Sequence, residues 1–201
     1  LLGGAGDDAL AGGDGDDYMV GGTGADSFDG GAGEDQVSYS GETTAVSIDL
    51  GAGTAGGAAA GDSFTSVENL YGTAQNDTLT GDATGNRLYG AGGNDTLNGG
   101  GGVDRLYGGD GGDTLNGGLG NDWLAGGAGA DTFVFDAGWG ADTVSDYQDG
   151  TDLIDVRGAG LAYGDLTVTQ SGLDTLIEDG AGNSITLDNT LATDIDQFDF
   201  I

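Results

Sequence analysis

Aspartate and glycine are the residues of this sequence whose spacing carries chemistry. A nine-residue frame beginning at Gly3 fits four times in succession, and its sixth position holds Asp8, Asp17, Asp26 and Asp35. The frame returns at Gly72 and fits seven times, with Asp77, Asn86, Asp95, Asp104, Asp113, Asp122 and Asp131 in the sixth position. A glycine-rich turn bares backbone carbonyl oxygens, which are hard neutral ligands, and the aspartate adds a hard anionic one. Sites made only of oxygen suit calcium, which takes six to eight oxygens in flexible geometry, better than magnesium, which wants a tighter octahedron. Zinc prefers nitrogen and sulfur, and the chain has neither histidine nor cysteine.

Turns at fixed phase need elements that hold them there. The eighth position of the frame is Leu10, Met19, Phe28 and Val37 in the first block, then Leu79, Leu88, Leu97, Leu106, Leu115, Leu124 and Phe133 in the second. An apolar residue at every eighth position predicts that the last three residues of each unit form a very short strand with its middle side chain inward. The first six form a turn, where glycine permits positive φ and close approach of backbones. The core predicted this way is thin. Without a cation the stacked aspartates repel and the glycines favour the unfolded chain, so folding is expected to be coupled to metal binding.

Composition narrows the partners. The 201 residues suggest one domain or two small ones. Thirty-one aspartates and four glutamates face only Arg87, Arg105 and Arg157, for a net charge of -32. That charge argues against nucleic acid and anionic membrane and points to a cation. Glycine-rich acidic composition alone would also fit a disordered chain, but the phase of the apolar residues favours an ordered repeat once the cation is present. Collagen is excluded, since the 47 glycines have no three-residue period and there is no proline. No apolar run approaches the roughly 18 residues of a membrane span, and no secretory signal peptide opens the chain. The start at Leu1, with Met19 the one methionine, predicts a piece of a longer protein.

The phrases "GGDGDDYMV" and "GGAGADTFV" and their neighbours resemble the RTX nonapeptide, G-G-x-G-x-D-x-U-x. The resemblance covers about half the chain as clean repeats. It implies an all-β fold, a right-handed parallel β-roll with two nonapeptides per turn and calcium between turns on each edge. Aspartates and turn carbonyls from units two apart would hold each ion. Carried onto this chain, that pairs Asp8 with Asp26 and Asp17 with Asp35. In the second block it pairs Asp77 with Asp95, Asp95 with Asp113, Asp113 with Asp131 and Asp104 with Asp122. The glycines that open units, Gly12, Gly21, Gly90, Gly99, Gly108, Gly117 and Gly126, would provide the turns. Asn86, opposite Asp104, supplies no charge, and the unit at 72–80 (GTAQNDTLT) lacks the glycine pair. Six to eight ions of charge +2 would cancel about half of the -32.

Four segments follow from the frame: a first roll block at 1–38, an irregular β insert at 39–71, a second block at 72–134 and a C-terminal β cap at 135–201. In the insert, "VSIDL" and "FTSVENL" read as strands and "GAGTAGGAAAG" as a flexible loop. In the cap, "DTVSDY", "DLIDV", "DLTVTQ", "DTLIED" and "SITLD" read as strands, "DGAGN" as a hairpin turn, and the whole as the antiparallel cap an open solenoid needs. The stretch from Ala130 to Val156 also resembles the end of the roll in serralysin-type secreted proteases. Asp142, Asp146 and Asp152 are candidate ligands for a further ion. The ending Asp199, Phe200, Ile201 resembles the C-terminal signal of type I secretion substrates, which implies a secreted, extracellular or cell-surface protein and the type I apparatus as partner.

The function expected is a calcium-binding C-terminal module that folds after export and supports a larger secreted protein. The alternative is a binding face. Arg87, Arg105 and Trp123 stand at position seven, 18 residues apart, with Tyr89 and Tyr107 beside them at position nine. Such a face suits a polysaccharide, as in the repeat modules of the mannuronan epimerases this chain also resembles, or an upstream domain of the same protein. No catalytic residue is assigned. Without histidine there is neither an H-E-x-x-H zinc site nor a Ser-His-Asp triad, and no G-x-S-x-G elbow is present.

Overall fold

A computed structural model describes residues 1–201. The short strands alternate between two facing walls, so that each coil gives one strand to each. One wall is an 11-stranded sheet; the other consists of a 7-stranded and a 3-stranded sheet. On the first wall Arg87–Gly92, Arg105–Asp110 and Trp123–Ala128 run parallel, with Leu88, Leu106 and Leu124 in register. On the second, Thr96–Gly102 and Thr114–Gly120 pair in parallel with Leu97 opposite Leu115. One coil is therefore 18 residues, two units of the frame. The result is a parallel β-solenoid closed at one end by antiparallel strands.

The frame explains the packing. All eleven position-eight side chains are buried, ten of them at 1% exposure or less. They form one continuous cluster with Ile48, Leu70, Val144 and Ile154 from the irregular coils. Many strands run on past position nine into the next unit, as in Arg105–Asp110. The chain then bends at position two, where Gly109 has φ 116°, a conformation that favours glycine.

Between the two blocks the walls differ. On the 11-stranded side Gln36–Ser38 pairs directly with Asn69–Tyr71. The opposite side carries three strands there. Ser63–Thr65 continues from Ser27–Ala32, with Phe64 stacked on Phe28 at 5.6 Å. Val46–Asp49 pairs in parallel with Thr78–Thr80 and antiparallel with Thr54–Gly57. The reading of 51–61 as loop alone is thus corrected, because Thr54–Gly57 forms the second arm of a hairpin. "FTSVENL" is not one strand either. The chain turns a corner at Ser66, φ 49°, and supplies a strand to each wall.

Parallel pairing extends beyond residue 134. Ala141–Val144 stacks on Trp123–Ala128, and Leu153–Asp155 stacks on Thr132–Val134. Ser184–Leu187 adds one more parallel strand, after which Asp174–Glu178 and Thr167–Ser171 pair antiparallel and finish the sheet. Trp139 and Phe135 fill the end of the core, both nearly inaccessible.

Candidate metal centre

The position-six carboxylates form ladders along the two edges of the roll. On one edge the backbone N–H of Asp77 donates to Oδ1 of Asp95 at 2.7 Å, Asp95 to Asp113 at 2.8 Å, Asp113 to Asp131 at 2.8 Å and Asp131 to Asp152 at 3.0 Å. The same edge in the first block runs from Asp8 to Asp26 and on to Asp62. On the other edge Asp17 donates to Asp35, and Asp35 to Oε2 of Glu68. Past the insert Asn86 donates to Asp104, Asp104 to Asp122 and Asp122 to Asp142. Beyond Asp8 and Asp17, which open the two ladders, each carboxylate is held by the coil before it, with one oxygen committed to a neutral donor.

The second oxygen has no protein partner in most rungs. Oδ2 of Asp8, Asp26, Asp35, Asp95, Asp104, Asp113, Asp122, Asp131 and Asp142 is buried and unpaired. Buried acceptors in native proteins are almost always satisfied, so a row of orphans asks for a donor or a cation. Glycine leaves the space. A Cβ built on Gly108 would collide with Asp113 Oδ2 and come within 2.5 Å of the carbonyl oxygen of Gly126, one coil on. Gly90 and Gly99 repeat this with Asp95 and Gly108, and with Asp104 and Gly117. Gly12, Gly21, Gly117 and Gly126 likewise face Oδ2 of Asp17, Asp26, Asp122 and Asp131. No three acidic side chains gather at one point. A site here is therefore built from one or two carboxylates and backbone carbonyls, an all-oxygen set that fits calcium.

Burial charges these rungs with an electrostatic cost. It pushes Asp95 and Asp104 up to about 7, Asp131 to about 6 and Asp142 to about 8, against the hydrogen bond from the coil below and with neighbouring carboxylates adding to the rise. Asp113 and Asp122 are raised by burial as well. A divalent cation in the ladder would reverse this.

The ladder changes character in the middle. Asp77 Oδ1 accepts from the Val46 N–H and the Thr73 hydroxyl, and its Oδ2 accepts from the Thr73 N–H at 2.6 Å. Asn86 Oδ1 accepts from Asp82 N–H, and its Nδ2 donates to the Glu68 carbonyl. Asp62 Oδ2 accepts from the Tyr39 hydroxyl at 2.6 Å. In this joint protein donors fill the places left open elsewhere. Asp62 and Glu68 were not singled out from the sequence, although Glu68 lies 18 residues before Asn86 with Leu70 at position eight. Of the cap candidates, Asp142 is a rung with an open oxygen. Asp152 is a rung with Oδ2 taken by Gln148 N–H, and Asp146 accepts from the N–H groups of Gly126 and Gly127.

The residues of the outer face lie together on the 11-stranded wall. Tyr71, Tyr89, Tyr107 and Trp123 form one column with ring centroids 5.6, 4.6 and 5.0 Å apart. Tyr89 and Tyr107 are stacked within 8° of parallel, so they cover each other's faces. Arg87 is paired with Glu34, and Arg105 stands exposed beside it in register. The tail is docked. Ile154 N–H donates to the Asp199 carbonyl at 2.7 Å, Ile201 N–H to the Ile154 carbonyl at 3.1 Å, and Phe200 packs on Tyr163. Asp199 is buried and takes the Tyr147 hydroxyl at 2.9 Å.

Four copies of the family model for the RTX calcium-binding nonapeptide repeat match residues 2–37, 71–106, 98–133 and 107–144, more than half of the chain. No curated protein matches. Among solved structures, the extracellular lipase LipA of Serratia marcescens aligns over 98% of this chain at 20% identity and a TM-score of 0.40. This chain spans 38% of the length of that lipase. The AlgE6R2 subunit of the Azotobacter vinelandii mannuronan C5-epimerase aligns over 64% of this chain and 92% of its own, at 30% identity and a TM-score of 0.49. The AlgE6R3 subunit aligns over 63% and 78%, at 27% identity and a TM-score of 0.35.

Proposed function

The chain belongs to the RTX calcium-binding nonapeptide repeat family, and from that premise we propose that its ladders hold calcium between coils and that the roll forms as the ions bind. The observation that carries this reading is the row of buried Oδ2 atoms without a protein partner. Six spacings lie between consecutive rungs that expose the cradle: Asp8/Asp26, Asp17/Asp35, Asp95/Asp113, Asp113/Asp131, Asp104/Asp122 and Asp122/Asp142. At four further spacings, Asp26/Asp62, Asp77/Asp95, Asn86/Asp104 and Asp131/Asp152, one member is already engaged by protein donors, so the six open spacings are the proposed sites. When bound, calcium supplies positive charge to carboxylates that burial otherwise disfavours. The chain's own residues do the rest: Oδ1 fixes each side chain to the coil below, glycine keeps the cradle open, and position eight fills the core.

Export follows from the same physics. Calcium modules outside the cell bind with dissociation constants of about 10⁻⁴–10⁻³ M, far above cytosolic calcium. The chain would remain unfolded inside, pass a type I apparatus and fold outside, as the terminal module of a larger secreted protein. Asp199, Phe200 and Ile201 are the proposed signal, and their docking against Ile154 fits recognition of the unfolded chain alone. Alanine at these three positions, in the chain fused to a passenger, tests it: passenger export through a type I exporter drops sharply, and undiminished export refutes the signal. A polysaccharide-binding role for the face of Arg87, Arg105 and Trp123 has less support, because its tyrosine rings stack on one another and Arg87 is paired.

A further inference from the structure

A groove of about 370 Å³ crosses the 11-stranded wall near its N-terminal end. Its size falls at the lower end of small-molecule sites. Its floor and ends come from one row of outward position-seven side chains in register: Tyr18 opposite Gln36, Gln36 opposite Asn69, and Asn69 opposite Arg87. Adjacent strands lie about 4.8 Å apart, so Tyr18 and Arg87 stand about 14 Å from each other. Between these tall walls the two shorter carboxamides form a dip.

Three features give the groove a chemistry. Asn69 is only 5% exposed, yet its carboxamide has no hydrogen-bond partner in the chain and lines the groove. Gln36, beside it, is also without one. Each carboxamide offers two donors and an acceptor, a set that matches vicinal hydroxyls. The second feature is Tyr18, which lines the groove at one end beside Gln36. Its ring is not part of the tyrosine column, so it can pack against the C–H face of a pyranose. The third is charge. Asp17 also lines the groove but belongs to the calcium ladder, which leaves Asp16 and Glu34 against Arg87 alone, whose guanidinium is already paired with Glu34. A carboxylated or sulfated sugar meets net negative charge there, whereas a neutral one does not.

We propose that this groove is a binding subsite for a neutral hexose unit of a glycan. Gln36 and Asn69 hydrogen-bond its hydroxyls, Tyr18 packs on its apolar face, and the Arg87–Glu34 pair closes the far end. Tyr89, a member of the tyrosine column, lines the groove beside Arg87, whereas Tyr107 and Trp123 do not. The site requires the folded roll but neither export nor any particular number of ions.

The test is a titration of the full chain in saturating calcium, followed by the side-chain amide signals of Gln36 and Asn69 in nitrogen-edited NMR. Far-UV circular dichroism is recorded on the same samples, so that a failure to fold is read separately from a failure to bind. The probes are glucose, galactose, mannose and N-acetylglucosamine, each to about 50 mM, since a single-ring subsite binds in the millimolar range. Glucuronate and galacturonate serve as the charged counterparts. At least one neutral hexose is expected to shift both carboxamides, with the uronates about tenfold weaker. Gln36→Ala and Tyr18→Ala should each weaken binding at least about fivefold with an unchanged dichroism spectrum, and Trp123→Ala should leave it intact. Silence of both carboxamides with all four neutral sugars overturns the proposal. So does uronate binding of equal strength.

Discussion

The backbone N–H of Asp95 donates to Oδ1 of Asp113 at 2.8 Å, and Oδ2 of Asp113 is buried with no protein partner. One oxygen positions the side chain and the other is open, and the proposed ladder gives it to an ion. Asp113→Asn keeps an acceptor for the Asp95 N–H and removes the charge. Its calcium midpoint should rise about tenfold, with one or both of the ions at Asp95/Asp113 and Asp113/Asp131 lost by calorimetry. Asp77→Asn is the contrast, because both Asp77 oxygens already take protein donors. It should move the calcium midpoint less than about twofold, while lost hydrogen bonds to a charged group lower stability by about 1–3 kcal/mol in denaturant titration.

The cradle also predicts a steric effect. Gly108 lies outside the positive-φ glycines, so alanine there strains no backbone torsion. Its methyl group would nevertheless strike Asp113 Oδ2 and crowd the Gly126 carbonyl. Gly108→Ala should therefore weaken calcium binding about tenfold or more. Gly41→Ala, where a Cβ meets nothing within 4 Å, should stay within about 0.5 kcal/mol of the parent in stability.

Acid should act in opposite directions with and without calcium. Burial raises Asp95 and Asp104 to about 7 and Asp142 to about 8, from an ordinary 3.8. A carboxyl whose folded value is raised favours the folded state while protonated. In the metal-free chain this contribution is complete below about pH 4 and is lost as pH rises through 7 to 8. Chelator-treated protein should thus hold more β structure at pH 5 than at pH 8. With calcium present, protons compete for the same oxygens, and the midpoint should climb as pH falls from 8 to 6. Dichroism titrations at the three pH values check both trends.

The joint should be the last region to melt when calcium is withdrawn. Val46, Thr73 and Asp82 donate to Asp77 and Asn86 whether or not an ion is present. Hydrogen exchange below the calcium midpoint should find the amides of Val46–Asp49 and Thr78–Thr80 better protected than those of Asp95, Asp113 and Asp122. Uniform exchange along the roll would remove the distinction between joint and ladders.

Much of this was legible from phase alone. Position eight gave the core column from Leu10 to Phe133, since only an inward-facing residue must be apolar in every unit. Position six gave most of the rungs. The irregular coils were harder. Asp62 lies 36 residues after Asp26, in phase with Phe64 at position eight, but its unit GAAAGDSFT lacks the glycine pair that marks the repeat; Asp142 lies 20 residues after Asp122 and is out of phase. Thr54–Gly57 is poor in the β-branched and aromatic residues that mark strands, and it forms by pairing with Val46–Asp49. "DTVSDY" and "DLIDV" looked like cap strands because the glycine phase ends at residue 134, yet Val144 and Ile154 sit in register with Leu124 and Phe133. The division of the ladders by protein donors depends on Thr73 and Tyr39, side chains whose partners no spacing reveals.

The central claim is that calcium and folding are one event. The most direct measurement is far-UV circular dichroism of the chelator-stripped chain as calcium is added, with magnesium as the control. A cooperative rise in β signal at about 0.1–1 mM calcium, absent with magnesium, is the predicted result. The same β content in chelator as in millimolar calcium would contradict it, for the core and cap would then fold the roll without any ion.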